Sequence, residues 1–123
     1  MLQQYFLFCV LFLIIYAKVP EIVPFGTVLN VEQHEQYLLL CTVSKGSKPI
    51  QFEWFKNGEK LLPETGLSLD YKPSSSSLTF YETRIDHTGN YSCRATNLDG
   101  FDQSSTLLLV KGLSLFYNPI GGA

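Results

Sequence analysis

Charge is scarce in this sequence, and residue types that do chemistry are scarcer. Of 123 residues, 9 are Lys or Arg, 11 are Asp or Glu and two are His, for a net charge of −2 at neutral pH. Nucleic-acid binding rests on clustered cations against phosphate. Here the basic residues are scattered among a larger number of acidic ones, which excludes that class of partner. No polybasic run marks a lipid surface. The sequence contains no Gly-rich phosphate loop, no Cys-x-x-Cys, no His-Glu-x-x-His and no Gly-x-Ser-x-Gly. His34 sits in a polar run (EQHEQ) and His87 in a corner segment, neither with a nucleophile or ligand set around it. Each reads as a solvated or locally hydrogen-bonded group. The chain thus offers no catalytic residue, no metal site, no cofactor and no small-molecule substrate site. A helical hydrophobic period is also missing.

No apolar run is long enough to cross a bilayer. The longest, Tyr5 to Ala17, spans roughly 20 Å as a helix against ~30 Å of hydrocarbon. Its length suits a secretory signal peptide over residues 1–17 with Ala17 at the cleavage site. Against that, residues 1–4 carry no basic side chain and Ile15 stands where a second small residue belongs. Cysteine is sparse too, with three in all. Cys9 lies inside the leader and would leave with it. The remaining even pair, Cys41 and Cys93, is what an oxidising compartment predicts. Residues 19–111 then make one domain, and residues 112–123 form a tail of no assignable type.

What is present is a series of short alternating segments. KVPEIVPFG reads as one extended first strand, since Pro20 and Pro24 forbid helix and suit a sheet edge. Tyr37–Ser44 is the first core strand, with Tyr37, Leu39, Cys41 and Val43 on one face. IQFEWFK follows, with Ile50, Phe52 and Trp54 inward. Asn57-Gly58 predicts a tight hairpin because both residues accept positive φ. GLSLDYK is a short strand, PSSSS a solvated polar connection, and SLTFYE a strand with Leu78 and Phe80 inward. Residues 84–90 turn a corner into YSCRATN. Leu98-Asp99-Gly100 turns the chain into the last strand, STLLLVK, with Leu108 and Val110 inward; the opposite parity stays open in so apolar a run. The expected core is Leu39, Cys41, Val43, Phe52, Trp54, Leu78, Phe80, Tyr91, Cys93, Ala95, Leu108 and Val110. Seven to eight short strands at this spacing make an all-β fold.

Cys41, Trp54 and Cys93, with Tyr91 two residues before the second cysteine, form the sequence mark of an immunoglobulin-like two-sheet antiparallel sandwich of the intermediate (I-set) type. In such a sandwich the cysteines tie the two sheets, the indole fills the space beside the disulfide, and the tyrosine hydroxyl reaches back to the corner. PEIVPFG, CTVSKGSKPIQFEWFKNG and HTGNYSCRATNLDG further resemble a domain of the arthropod Down syndrome cell adhesion molecule (Dscam) family. The general pattern has Asp six residues before the second cysteine, paired to an Arg. This chain has His87 there, with Asp86 displaced by one. The resemblance implies an extracellular, cell-surface or secreted module that recognises other proteins, itself among them, and touches a membrane only through parts outside this chain.

Phe55 is the candidate anchor of a binding surface, because outward aromatics frequently anchor interfaces. Alternation places it with Gln51 and Glu53 beside Ser92, Arg94 and Thr96 of the neighbouring cysteine strand, where Glu53 and Arg94 are placed to pair across strands. Tyr81 is the corresponding candidate on the opposite sheet. Asn90-Tyr91-Ser92 is a candidate N-glycosylation site, with Asn90 and Ser92 facing out. Two other readings share the fold: a structural domain of an intracellular muscle-type array with reduced cysteines, and a secreted immune-recognition protein.

Overall fold

A computed structural model describes residues 18–112. The leader expected over residues 1–17, Cys9 within it, and the tail from residue 113 onward lie outside the described residues. The strands are β1 (Glu21–Ile22), β2 (Val28–Glu32), β3 (Tyr37–Lys45), β4 (Gln51–Lys56), β5 (Glu59–Lys60), β6 (Leu67–Lys72), β7 (Ser75–Phe80), β8 (Gly89–Asn97) and β9 (Gly100–Lys111). A 3-10 turn, Ile85–His87, leads into β8. The strands form two facing sheets, one in the order β1-β3-β7-β6 and the other β2-β9-β8-β4-β5. This is an all-β two-sheet sandwich of I-set type.

Of the segment expected as the first strand, KVPEIVPFG, only Glu21–Ile22 pairs in a sheet, and a further strand, β2, follows it. Pro24 has no N–H to give a ladder, and after it the chain crosses from the first sheet to the second. There β2 lies parallel to β9, with Val28 opposite Leu107 and Val31 opposite Val110. One parallel pair therefore enters an otherwise antiparallel sandwich, and the strand count rises to nine among the described residues. Thr106 Oγ1 donates to the Gly26 carbonyl at this crossing.

Inward parity holds along every long strand. All twelve expected core residues are buried, joined by Ile22, Val31 and Leu67. Leu108 and Val110 point inward, so the open parity of β9 resolves that way. The hairpin between β4 and β5 turns on Asn57 (φ 51°) and Gly58 (φ 83°). Gly46 answers to a different constraint. At φ 141°, a Cβ there would meet Pro20 Cα at 2.8 Å, so only glycine lets the first segment pass this close to the end of β3.

The serine run is a correction to the sequence reading. Ser75, Ser76 and Ser77 belong to β7, not to a solvated loop. Ser76 is buried, accepts the Trp54 Nε1–H at 2.8 Å and donates to the Asp70 carbonyl at 2.8 Å. A small hydroxyl here satisfies a buried indole that aliphatic neighbours would leave unpaired.

Candidate protein-binding faces

The core elements fix the faces. Cys41 of β3 and Cys93 of β8 are bonded across the sheets with their Cα atoms 6.4 Å apart. Trp54 on β4 lies opposite Cys93, with the Phe25 ring 6.1 Å from the indole. Tyr91 packs edge-on to Phe80 at 5.5 Å, and its hydroxyl donates to the His87 carbonyl at 2.6 Å. Burial raises the Tyr91 phenol above its ordinary value, so it stays a donor at any physiological pH.

His87 is buried, against the solvated position that one reading allowed it. Its ring lies 5.0 Å from Phe80, and its Nδ1 accepts the Arg84 N–H at 2.9 Å. That bond puts the imidazole proton on Nε2 and leaves no room for a second one on Nδ1. Burial, reinforced by the Arg84 charge, lowers its affinity for a proton. Asp86 and Arg84 pair with each other at 3.1 and 3.2 Å on the surface. The hydrogen bond from Arg84 is the largest cause that lowers Asp86. The contribution of His87 to stability is present in full above the ordinary value of 6.5. It is lost as pH falls from there through the lower folded-state value. Denaturant midpoints should therefore drop as pH is lowered below 6.5, while His87→Asn should flatten the profile across that window. Asp86 enters only below 3.8, well outside it.

On the outward face of the five-stranded sheet, Arg94 lies between two aromatic rings. Its guanidinium carbon is 5.2 Å from the Phe55 centroid and 4.9 Å from that of Phe101, and its Nε donates to Gln103 Oε1 at 3.1 Å. Such stacking holds a long side chain in one rotamer while leaving charge at the surface. Phe55 is half-buried by it, whereas Phe101 is 57% exposed. Glu53 stands across from Arg94 in register, yet its carboxylate pairs with Lys60 at 3.5 Å instead. Arg94 faces the rings, so the expected Glu53–Arg94 pair is absent. Ser92 also departs from its reading as an exposed residue: it is 7% exposed and shares a 2.7 Å hydrogen bond with Ser105. Asn90 is exposed on the same face.

Phe101 escaped the sequence reading because the last strand was begun too late. The signal was available: a hairpin turning at Leu98–Asp99 pairs Asn97 with Gly100 and sets Phe101 against Thr96. Tyr81 belongs to the other sheet, just past β7, exposed, with its N–H bonded to the Gly66 carbonyl. The outward face of that sheet holds a feature the reading passed over. Leu38 and Leu40, 50% and 53% exposed, stand on β3 opposite Thr79 and Ser77, with exposed Asp70 of β6 on the far side of Ser77. Among the described residues no three His, Cys, Asp or Glu side chains converge on a metal site.

The profile described as Immunoglobulin domain matches residues 20–97. The cell adhesion molecule DSCAML1 of Mus musculus is 37% identical over 71 residues, which is 58% of this chain and 4% of that protein. The chain thus spans a small fraction of that relative. The crystal structure of the Dscam1 Ig7 domain, isoform 5, superposes with a TM-score of 0.68 at 30% identity, covering 75% of this chain and 96% of that one. The I-band fragment I67-I69 from titin gives 0.67 at 27% identity, covering 75% of this chain and 32% of the fragment.

Proposed function

The chain belongs to the immunoglobulin domain family, which is non-catalytic, and from that premise we propose that it is an extracellular recognition domain for cell adhesion. Its partners are other proteins, a second copy of itself among them, and it docks through the outward face of the five-stranded sheet. The observation that carries this reading is Arg94 held between Phe55 and Phe101. Aromatic and Arg side chains supply most interface anchors. A guanidinium already fixed by two rings and by Gln103 loses little rotamer freedom when a partner covers it, which reduces the cost of association. The likeness to DSCAML1 and to Dscam1 Ig7 supports the same class of function.

The exposed Leu38–Leu40 pair supports a second placement of the contact on the opposite sheet, since adjacent apolar side chains left open to water mark interaction sites. Sedimentation equilibrium separates the two. A single domain offers at best ~800 Å² per partner, so self-association is expected at micromolar affinity or weaker. Phe55→Ala should weaken it by more than ~1 kcal/mol without loss of fold, because the side chain faces away from the core. Leu40→Ser should leave it unchanged. The reverse pattern moves the contact to the four-stranded sheet. A spacer role in an intracellular array, which the titin likeness supports, is tested by the state of the cysteines.

A further inference from the structure

Asn90 opens the tripeptide Asn90-Tyr91-Ser92, and its surroundings divide sharply between backbone and side chain. The backbone is fully engaged: its N–H donates to Asn57 Oδ1 at 2.9 Å and its carbonyl accepts the Asn57 N–H at 2.8 Å. The side chain is exposed between buried Gly89 and buried Tyr91, and its amide has no hydrogen-bond partner among the described residues. Directly across the ladder stands Leu107, 37% exposed, and Val28 aligns with Leu107 on β2. An aliphatic pair therefore lies open to water beside an unengaged amide.

We propose that Asn90 carries an N-linked glycan, and that this glycan stands over Leu107 and Val28 and bounds the docking face on that side. A bulky, well-hydrated group there shields two apolar side chains that the fold itself leaves uncovered. It also sits diagonally beside Phe55, which pairs with Ser92, while Arg94 lies four residues further along the strand, roughly 13 Å away. The Arg94–Phe101 end of the face stays clear. In the modification, the Asn90 amide nitrogen bonds to C1 of an oligosaccharide carried on dolichyl pyrophosphate. The C1–O bond to the carrier breaks, dolichyl pyrophosphate leaves, and an amide proton passes to a base of the transferring enzyme. Because Ser92 is buried against Ser105 in the folded domain, the tripeptide is legible only before β8 pairs with β9. Transfer then competes with folding, and the secreted protein is a mixture of modified and bare chains.

The inference rests on the extracellular reading, because the donor is met only in the secretory pathway. The test expresses the full chain in mammalian cells twice, behind its own N-terminus and behind a host leader, and reads intact mass before and after peptide N-glycosidase F. The expected result is a glycan mass on part of the secreted protein. The enzyme should remove it, and it should be absent from both Asn90→Gln and Ser92→Ala, each folded by near-ultraviolet circular dichroism. Folded, secreted protein from the host-leader chain at the mass of the bare polypeptide alone would overturn the proposal. If the chain stays in the cell behind its own N-terminus but gains the glycan behind the host leader, Asn90 stands as an acceptor and the extracellular reading falls.

Discussion

Cys93→Ala is expected to lower stability by ~2–5 kcal/mol and to leave the domain largely unfolded at 37 °C. The bond it removes closes a loop of 52 residues between the two sheets. On the loop-entropy account such a closure stabilises by ~4 kcal/mol, a large share of the ~5–15 kcal/mol that holds a typical domain together. The loss should be nearly the same for Cys41→Ala, since either change opens the same loop, and the double variant should add little to either. Urea denaturation of the three variants checks this. Thiol titration of the folded wild type supplies the compartment test: Cys41 and Cys93 should be unreactive in protein from a secretory host. Reactive thiols in a stably folded domain would favour the intracellular spacer reading.

Trp54→Ala should destabilise by ~3–5 kcal/mol, the range for removing a large aromatic from a packed core. The indole is 1% exposed, borders the disulfide partner Cys93 in register and packs near Phe25. Its single polar atom adds a second prediction. Ser76→Ala leaves Nε1–H buried without an acceptor and also removes the donor to the Asp70 carbonyl, so it should cost ~1–3 kcal/mol although only one oxygen is lost. Trp54→Phe combined with Ser76→Ala should recover part of that loss, because no indole N–H then remains to be satisfied. A double-mutant cycle measured by denaturation reads the coupling directly. Additive losses would mean the hydrogen bond contributes nothing.

The core was legible in the sequence because burial here has period two. Leu39, Cys41 and Val43, and again Tyr91, Cys93 and Ala95, alternate inward with the residues between them turned outward, and each is buried. The hairpin at Asn57-Gly58 was legible for the same local reason, since positive φ at both positions selects those residues. What escaped were features whose cause lies elsewhere in the chain. Val28–Glu32 has no strong alternation of its own and becomes a strand by pairing with β9. Ser76 looks like loop sequence until the indole of Trp54 is placed above it. Thr83 is invisible as a structural residue locally, yet it is fully buried, its hydroxyl donates to the Glu32 carbonyl at 2.7 Å and accepts the Glu35 N–H at 3.1 Å. It ties the turn after β2 to the corner before β8. On the candidate face, Phe55 and Arg94 were found by alternation, but their arrangement was not. Cross-strand register alone suggests that Glu53 meets Arg94. Two phenylalanine rings and a nearer Lys60 change both partners, and one of those rings, Phe101, lies at the start of β9, ahead of the STLLLVK stretch that reads as strand.

The claim that the outward face of the five-stranded sheet is the binding surface is tested most directly by mapping backbone amide chemical shifts by NMR as protein concentration is raised. Shifts are expected to concentrate at Phe55, Arg94, Phe101 and Gln103, to fade toward Leu107 when Asn90 is glycosylated, and to vanish in Phe55→Ala. Shifts confined to Leu38, Leu40 and Tyr81, with the Phe55–Arg94–Phe101 cluster unchanged up to millimolar concentration, would contradict it.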